Sequence, residues 1–263
     1  MRIATWNINS VRMRLPLALG LLTTEQPDVL CLQEIKALAD QFPAAAFAAA
    51  GYPHQAVVGL KGYNGVAVIS RLPLEETGRC EFCDRADARH VAVRVAGGPE
   101  LHNLYVPAGG DIPDPALNPK FAHKLQFLEE LTAWFGSERR ADTPMVLVGD
   151  LNIAPLETDV WSHRQLVGVV SHTPVEVRAL TELQAGLGWV DAVRQRIPPA
   201  ERLYTWWSYR ARDWALSDRG RRLDHVWVTP PLAPAIGEVT VLRAARGWEK
   251  ASDHVPVIVD IAA

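Results

Sequence analysis

The sequence predicts a single mixed α/β domain with many short strands and a few helices. Three observations predict it. Short apolar segments recur between turn signals along the whole chain, four longer stretches have helical character, and no repeat, low-complexity tract or linker divides the whole. At 263 residues the chain has room for one large domain or two small ones. The missing linker favours one, spanning residues 1–263.

Strands are predicted over residues 3–8, 29–32, 55–58, 65–70, 90–95, 101–106, 145–148, 223–228, 238–242 and 255–261. Helices are predicted over residues 10–24, with Pro16 near the first turn, and 40–50, an alanine-rich stretch ending at Gly51. A third covers 118–138, where Phe121, Leu125, Leu128, Leu131 and Phe135 recur at helical spacing, and a fourth covers 175–186. The segment MVLVGDLNIAP shows how a strand is read. Met145 to Val148 is a continuous apolar run, as in a strand covered on both faces, with Thr143-Pro144 and Ala154-Pro155 punctuating its ends. If the strand continues, Asp150 and Asn152, two apart, face the same side. A turn at Gly149-Asp150 accounts for the same letters equally well. What separates the two readings is whether other strands end in the same way.

They do. ATWN delivers Asn7, DVLCLQE delivers Gln33 and Glu34, NLYVPAG delivers Tyr105, and LVGDLN delivers Asp150 and Asn152. RRLDHVWV places Asp224 at the head of a strand, and ASDHVPVIV places Asp253 and His254 just before another. Six segments thus put polar groups at strand mouths, which chance turns would not explain. Carboxylates and amides with one histidine and no cysteine form a hard, oxygen-rich donor set, suited to Mg²⁺ or Mn²⁺ rather than zinc or copper.

Composition narrows the remaining classes. The chain is 48% hydrophobic and 22% charged, which is globular and not disordered. No apolar run approaches the roughly 18 residues of a membrane span, so no membrane partner is expected. The first residues, MRIATWNINS, lack the apolar core and cleavage site of a secretory signal. With three cysteines, too few for a disulfide framework, this points to reduced thiols in the cytoplasm. Cys80 and Cys83 read CxxC, but no second pair completes a zinc site. The net charge of −3 and pI near 6.2 give no bulk support to a nucleic-acid partner. RARDWALSDRGRR, residues 210–222, is the local exception: five arginines stand against Asp213 and Asp218.

Taken together, WNIN, PDVLCLQEIK, YNGVAVISR, NLYVPAG, NPKFAHKLQF, VLVGDLNIAP, YTWWSYR, RGRRLDHVWVT and SDHVPVIV resemble the exonuclease III family of Mg²⁺-dependent DNA-repair nucleases, which includes the apurinic/apyrimidinic endonucleases. The likeness runs from Ile3 to Val259 in the family's order. SDHVP alone is shared by a wider phosphoesterase superfamily; the full set is far more specific. The resemblance implies a four-layer α/β sandwich, two packed sheets flanked by helices with the site at one end.

It also implies roles. Glu34 would be the first metal ligand, with Asn7 beside it. Asp150 would ligate metal or deprotonate the attacking water, and Asn152 would donate to a phosphate oxygen as charge grows. Asp224 would orient His254, and Asp253 would reach a metal or the water network. The metal set would therefore be Asn7, Glu34, Asp150, Asn152, Asp253 and His254, holding one or two Mg²⁺ ions with Mn²⁺ able to substitute. Tyr105 would contact the phosphate. Trp206 would pack against a flipped-out abasic sugar, with a core position as its rival reading, whereas Trp207 suits the core better. Arg221 and Arg210, with Lys120 in NPKFAHKLQF, would bind DNA. Arg221 departs from the apolar or tryptophan residue of many relatives, which bears on the abasic pocket. The expected activity is phosphodiester hydrolysis in duplex DNA by a monomer, acting as 3′→5′ exonuclease, abasic endonuclease and 3′-phosphatase or phosphodiesterase and leaving 3′-hydroxyl ends. Abasic sites and 3′-blocked ends are among the expected substrates. The alternative is a superfamily phosphoesterase acting on RNA or on phosphorylated inositol or lipid head groups.

Overall fold

The computed structural model describes residues 1–262. Its strands and helices, in chain order, are β1 (Arg2–Asn7), α1 (Leu15–Thr24), β2 (Val29–Gln33), α2 (Ala44–Ala49), β3 (His54–Val58), β4 (Val66–Ser70), β5 (Leu74–Gly78), β6 (His90–Val95), β7 (Glu100–Tyr105), α3 (Pro119–Glu138) and β8 (Met145–Asp150). There follow α4 (His163–Leu166), α5 (Pro174–Gly186), β9 (Val190–Asp191), α6 (Ala192–Arg196), β10 (Trp206–Trp207), α7 (Trp214–Ser217), β11 (Gly220–Arg221), β12 (Asp224–Val228), β13 (Ile236–Val241) and β14 (Val257–Ile261). One six-stranded sheet runs β13-β14-β1-β2-β4-β3 and the other β5-β6-β7-β8-β12-β9; β10 and β11 pair apart from both. Both sheets are mixed, with β1–β2 and β7–β8 parallel.

The period-two alternation of strand side chains makes the layers. In β1 and β2, Ile3, Val29 and Cys31 join Val146, Val148, Val226, Val257 and Val259 in a core between the sheets. The alternate residues Ala4, Trp6, Leu30 and Leu32 face the other way, against Leu21 and Leu22 of α1 and Phe47 of α2. On the second sheet Leu104, Leu147 and Trp227 turn outward against Phe127, Leu128 and Leu131 of α3 and Leu180 and Leu183 of α5. Strands buried on both faces explain the near-continuous apolar runs. The result is the four-layer sandwich in a single domain that the resemblance implied.

The same parity aims the site. Asn7, Tyr105, Asp150 and Asp224 carry the inward parity of Ile3, Leu101, Val146 and Val226 and lie at strand ends. Register sets Tyr105 and Asp224 on either side of Asp150 across β7, β8 and β12. Gly149 allows β8 to reach Asp150 as a strand, not a turn. At φ 141° it lies so close to β7 that a Cβ would sit 1.9 Å from the Leu104 carbonyl oxygen.

Boundaries differ from the sequence reading where local chemistry intervenes. Helix α1 begins at Leu15, not residue 10, because Asn9 and Ser10 adopt left-handed backbone and Pro16 occupies the first turn that proline prefers. Pro43 divides the alanine-rich stretch into a short 3₁₀ turn and α2. Strand β5, LEETG, has few apolar residues because it is a sheet edge with an exposed middle, and it was not predicted.

Candidate active site

Asp150 is the hub of a polar cluster at the end of the sandwich. Its carboxylate is buried and tied on both oxygens: the Asn152 backbone N–H donates to Oδ1 at 2.9 Å, and Asn7 Nδ2 donates to Oδ2 at 2.9 Å. Asn7 Nδ2 also donates to Glu34 Oε1 at 3.0 Å, so one amide nitrogen bridges two carboxylates across the two sheets. His254 Nδ1 donates to Asp224 Oδ2 at 2.8 Å, and its Nε2 stands 3.6 Å from Asp150 Oδ2. Asp150, Asp224 and His254 offer three ligand atoms within 4.8 Å of one another. The remaining Asp224 oxygen, Oδ1, is buried without a protein partner. The carboxylates of Glu34 and Asp150, brought together on one amide nitrogen, crowd hard oxygens at this mouth and fit a cation.

The electrostatics follow. Burial, with Asp224 and Glu34 nearby, pushes Asp150 up to about 7, against the pull of His254 and Asn7. Burial works against the charged form of His254, but Asp224 and Asp150 outweigh it and raise that group to about 10. Burial also acts on Glu34, yet hydrogen bonds from Asn7, Lys36 and Tyr105 hold it below the usual carboxylate range. Near neutral pH the cluster therefore contains a protonated imidazole, an ionised Glu34 and an Asp150 poised to give or take a proton.

The other predicted residues are distributed around this hub. Asn152 has φ 54°, and its amide donates to Val106 O at 2.9 Å and Asp150 Oδ2 at 3.2 Å, so one hydrogen is tied to the backbone and the other holds Asp150. Tyr105 donates its hydroxyl to Glu34 Oε1 at 2.7 Å, with the Arg89 guanidinium 4.9 Å over its ring. Asp253 is half-buried and accepts from Asn9 Nδ2 at 3.1 Å and Trp206 Nε1 at 3.0 Å. Trp206 is half-buried while Trp207 is in the core. Trp206 walls a cleft of about 580 Å³ with Trp161, Val170, Arg210, Arg219 and Arg221. Arg221 sits 5.4 Å over the Trp206 ring and donates to Val170 O at 2.9 Å and Ser171 Oγ at 2.6 Å. Arg210 and Lys120 are exposed; Arg210 lines the cleft, whereas Lys120 starts α3 outside its lining.

Three participants escaped the sequence reading. Lys36 pairs with Glu34 Oε2 at 2.8 Å and donates to Asn9 Oδ1 at 2.6 Å, and Asn9 in turn holds Asp253. Lys36 and Asn9 lie inside the quoted segments PDVLCLQEIK and WNIN, so their position beside Glu34 and Asn7 was the available signal. Arg89 had none, because a lone arginine before an apolar strand looks like any surface cation. Glu34, Lys36, Asn9 and Asn152 all have positive φ, and non-glycine backbone of this kind gathers where a site over-determines it.

Residues 4–254 match the Endonuclease/Exonuclease/phosphatase family, and the chain belongs to that family. It is an enzyme of the exodeoxyribonuclease III type. Over 271 residues it is 30% identical to exodeoxyribonuclease III of Haemophilus influenzae, with 98% of each chain covered. An AP endonuclease structure from Archaeoglobus fulgidus superposes with a TM-score of 0.92 at 34% identity, covering 100% of both chains. So does a structure of the 3′ phosphatase NExo from Neisseria bound to product DNA hairpin, with a TM-score of 0.91 at 34% identity and 100% of both chains.

Proposed function

We propose that this protein is a Mg²⁺-dependent DNA-repair nuclease that hydrolyses phosphodiester bonds in duplex DNA and leaves 3′-hydroxyl ends. Abasic sites, 3′-phosphates and 3′-terminal nucleotides are its targets. The observation that carries the reading is the grouping of Asp150, Asp224 and His254 at one mouth, with Glu34 joined to Asp150 through Asn7, beside a cleft walled by Trp206 and arginines. Its relatives named for exonuclease, AP endonuclease and 3′ phosphatase activity support the substrate class.

Glu34 and Asp150, bridged by Asn7, are the residues that would hold Mg²⁺. The ion when bound supplies positive charge to the phosphate and favours ionised carboxylates. Asp150, oriented by Asn7 and Asn152, accepts the proton of the attacking water as the bond from phosphorus to the 3′-oxygen breaks. The departing 3′-oxygen takes a proton from solvent to become the 3′-hydroxyl. His254, kept protonated and fixed by Asp224, presents Nε2–H to a phosphate oxygen as negative charge develops. Tyr105 and Lys36 fix the two oxygens of Glu34. Trp206, anchored through Asp253, gives a flat apolar wall for a sugar without its base, which costs least to unstack. Arg210, Arg219 and Arg221 supply phosphate contacts at the cleft of a chain whose net charge is −3.

Assaying the purified protein on abasic, 3′-phosphate and undamaged duplexes, with RNA and inositol phosphates as controls, tests the proposal. Hydrolysis confined to the DNA substrates, abolished by EDTA and restored by Mg²⁺ or Mn²⁺, is expected. Full activity in EDTA, or turnover of the controls alone, would overturn it.

A further inference from the structure

Lys124 of α3 and Glu176 of α5 form an ion pair at 2.5 Å with both side chains wholly buried. Neither reaches solvent or the cleft lining. A buried pair of this kind adds little stability over apolar side chains of the same size, so its presence asks for another reason. What the pair holds supplies one. Lys124 Nζ also donates to the backbone carbonyls of Asn152, at 2.8 Å, and Ala108, at 3.4 Å. Glu176 accepts from the backbone N–H of Ser171 at 2.9 Å and from the N–H and hydroxyl of Thr173 at 3.2 and 2.6 Å. Its lysine partner is enclosed by the loop after β7, where a Cβ on Gly109 would lie 2.9 Å from Lys124 Cδ.

Both chain segments gripped in this way have left-handed backbone, at Asn152 (φ 54°) and Ser171 (φ 84°); asparagine tolerates this conformation, whereas at Ser171 the surrounding contacts hold it against preference. They also lead to different parts of the site. Asn152 holds both oxygens of Asp150. Ser171 receives Arg221 at 2.6 Å, and Arg221 covers Trp206 on the cleft wall.

We propose that Lys124 and Glu176 are positioning residues for the reaction: Lys124 fixes Asp150 through Asn152, Glu176 fixes the Arg221 wall through Ser171, and the ion pair sets one against the other. The proposal rests on the reading of Asp150 as the reacting carboxylate. Displacement of a reacting group by about 1 Å can lower a rate by about 10²-fold, so a pair two contacts from the chemistry is felt in kcat.

Lys124→Met is compared with the neutral pair Lys124→Met/Glu176→Gln, which leaves no buried charge unmatched. Readouts are kcat and KM on an abasic duplex, the thermal midpoint, and the ¹⁵N–¹H signals of the Asn152 side-chain amide in the free protein. The neutral pair is expected to melt within about 5 °C of the unaltered protein. Its kcat should fall by about 10²-fold with KM changed less than about threefold, and the Asn152 signals should move or broaden. If kcat stays within about threefold, if its loss matches the fraction unfolded, or if the neutral pair cannot fold, the two residues serve stability alone and the proposal is overturned. Unaltered protein that cleaves no DNA would refute the proposed function instead; the Asn152 signals would still report the positioning.

Discussion

Two of the buried clusters of charge in this fold are built on opposite terms. In the first, Asp159 and Asp191 face Arg194 and Arg222, with Arg222 Nη1 2.7 Å from Asp191, Arg222 Nε 2.8 Å from Asp159, and Arg194 Nη2 2.5 Å from Asp159. Two carboxylates meet two guanidinium groups, and although burial works the other way, Arg222 holds Asp191 below the usual carboxylate range. In the second, Glu34, Asp150 and Asp224 share Lys36 and His254, and Asp150 has no closer cation than His254 Nε2 at 3.6 Å. Burial and its acidic neighbours push Asp150 up to about 7. The balanced cluster is arranged to stay as it is. The crowded one is short of positive charge, which is the condition under which a cation binds and a carboxylate accepts a proton near neutral pH. Arg222, one of the five arginines of the basic run 210–222, belongs to the first kind.

The comparison breaks most readily at Arg222. Arg222→Met takes the guanidinium from Asp191 and leaves Asp159 with Arg194 alone, and should lower stability by about 3–5 kcal/mol, the usual consequence of removing one partner from a buried pair. Urea unfolding at pH 7.5 measures it, and a loss below about 1 kcal/mol would mean that the cluster is solvated. Asp150→Asn should instead leave the fold intact and lower kcat by at least about 10²-fold. Activity within about threefold of the unaltered enzyme would remove Asp150 from the chemistry. The Asp224–His254 contact sharpens the comparison further. Because Asp224 acts through His254, Asp224→Ala combined with His254→Ala should reduce kcat little more than His254→Ala alone. Losses that multiply would show the two acting separately.

The strand ends were legible in the sequence because a period of two carries inward parity from apolar core residues to the polar residues that follow them. Ile3 predicts the direction of Asn7, and Val146 and Val148 that of Asp150. Helix α3 was legible from its apolar repeat, although Leu125 is only half-buried and Phe127 and Lys124 share the covered face. The layering was legible only through the family resemblance and not from residue patterns, since which sheet a strand joins depends on pairings distant in sequence, such as β14 with β1. Nor were the internal hydrogen bonds of Tyr105, Asn152 and Asp253. Residue type gives a donor or an acceptor, but the partner is set by tertiary approach. The arginine run shows the same limit: Arg221 and Arg222 are adjacent in sequence, yet one lines the cleft and the other is locked between two aspartates.

The smallest expected effect concerns stability at the site itself. A carboxyl group whose pKa rises from the ordinary Asp range to about 7 on folding binds its proton more tightly in the fold than in the unfolded chain. Below about pH 4 both states are protonated, and the group contributes nothing to pH dependence. As pH climbs toward 7 the unfolded chain ionises first, so the native state loses stability, and above 7 the loss is complete. Asparagine cannot ionise, so Asp150→Asn should be more stable than the unaltered protein at pH 8, by on the order of 1 kcal/mol. The lost attraction to His254, and an amide NH₂ set against the N–H groups of Asn152 or Asn7, offset part of the gain. At pH 5 the gain should have largely gone. Both measurements belong in EDTA, because a bound cation would stabilise the ionised carboxylate and reverse the sign. Thermal midpoints of the two proteins at both pH values decide it. An Asp150→Asn protein less stable than its parent at pH 8 would mean that the carboxylate is adequately paired in the fold, and the contrast with Asp159 and Asp191 would disappear.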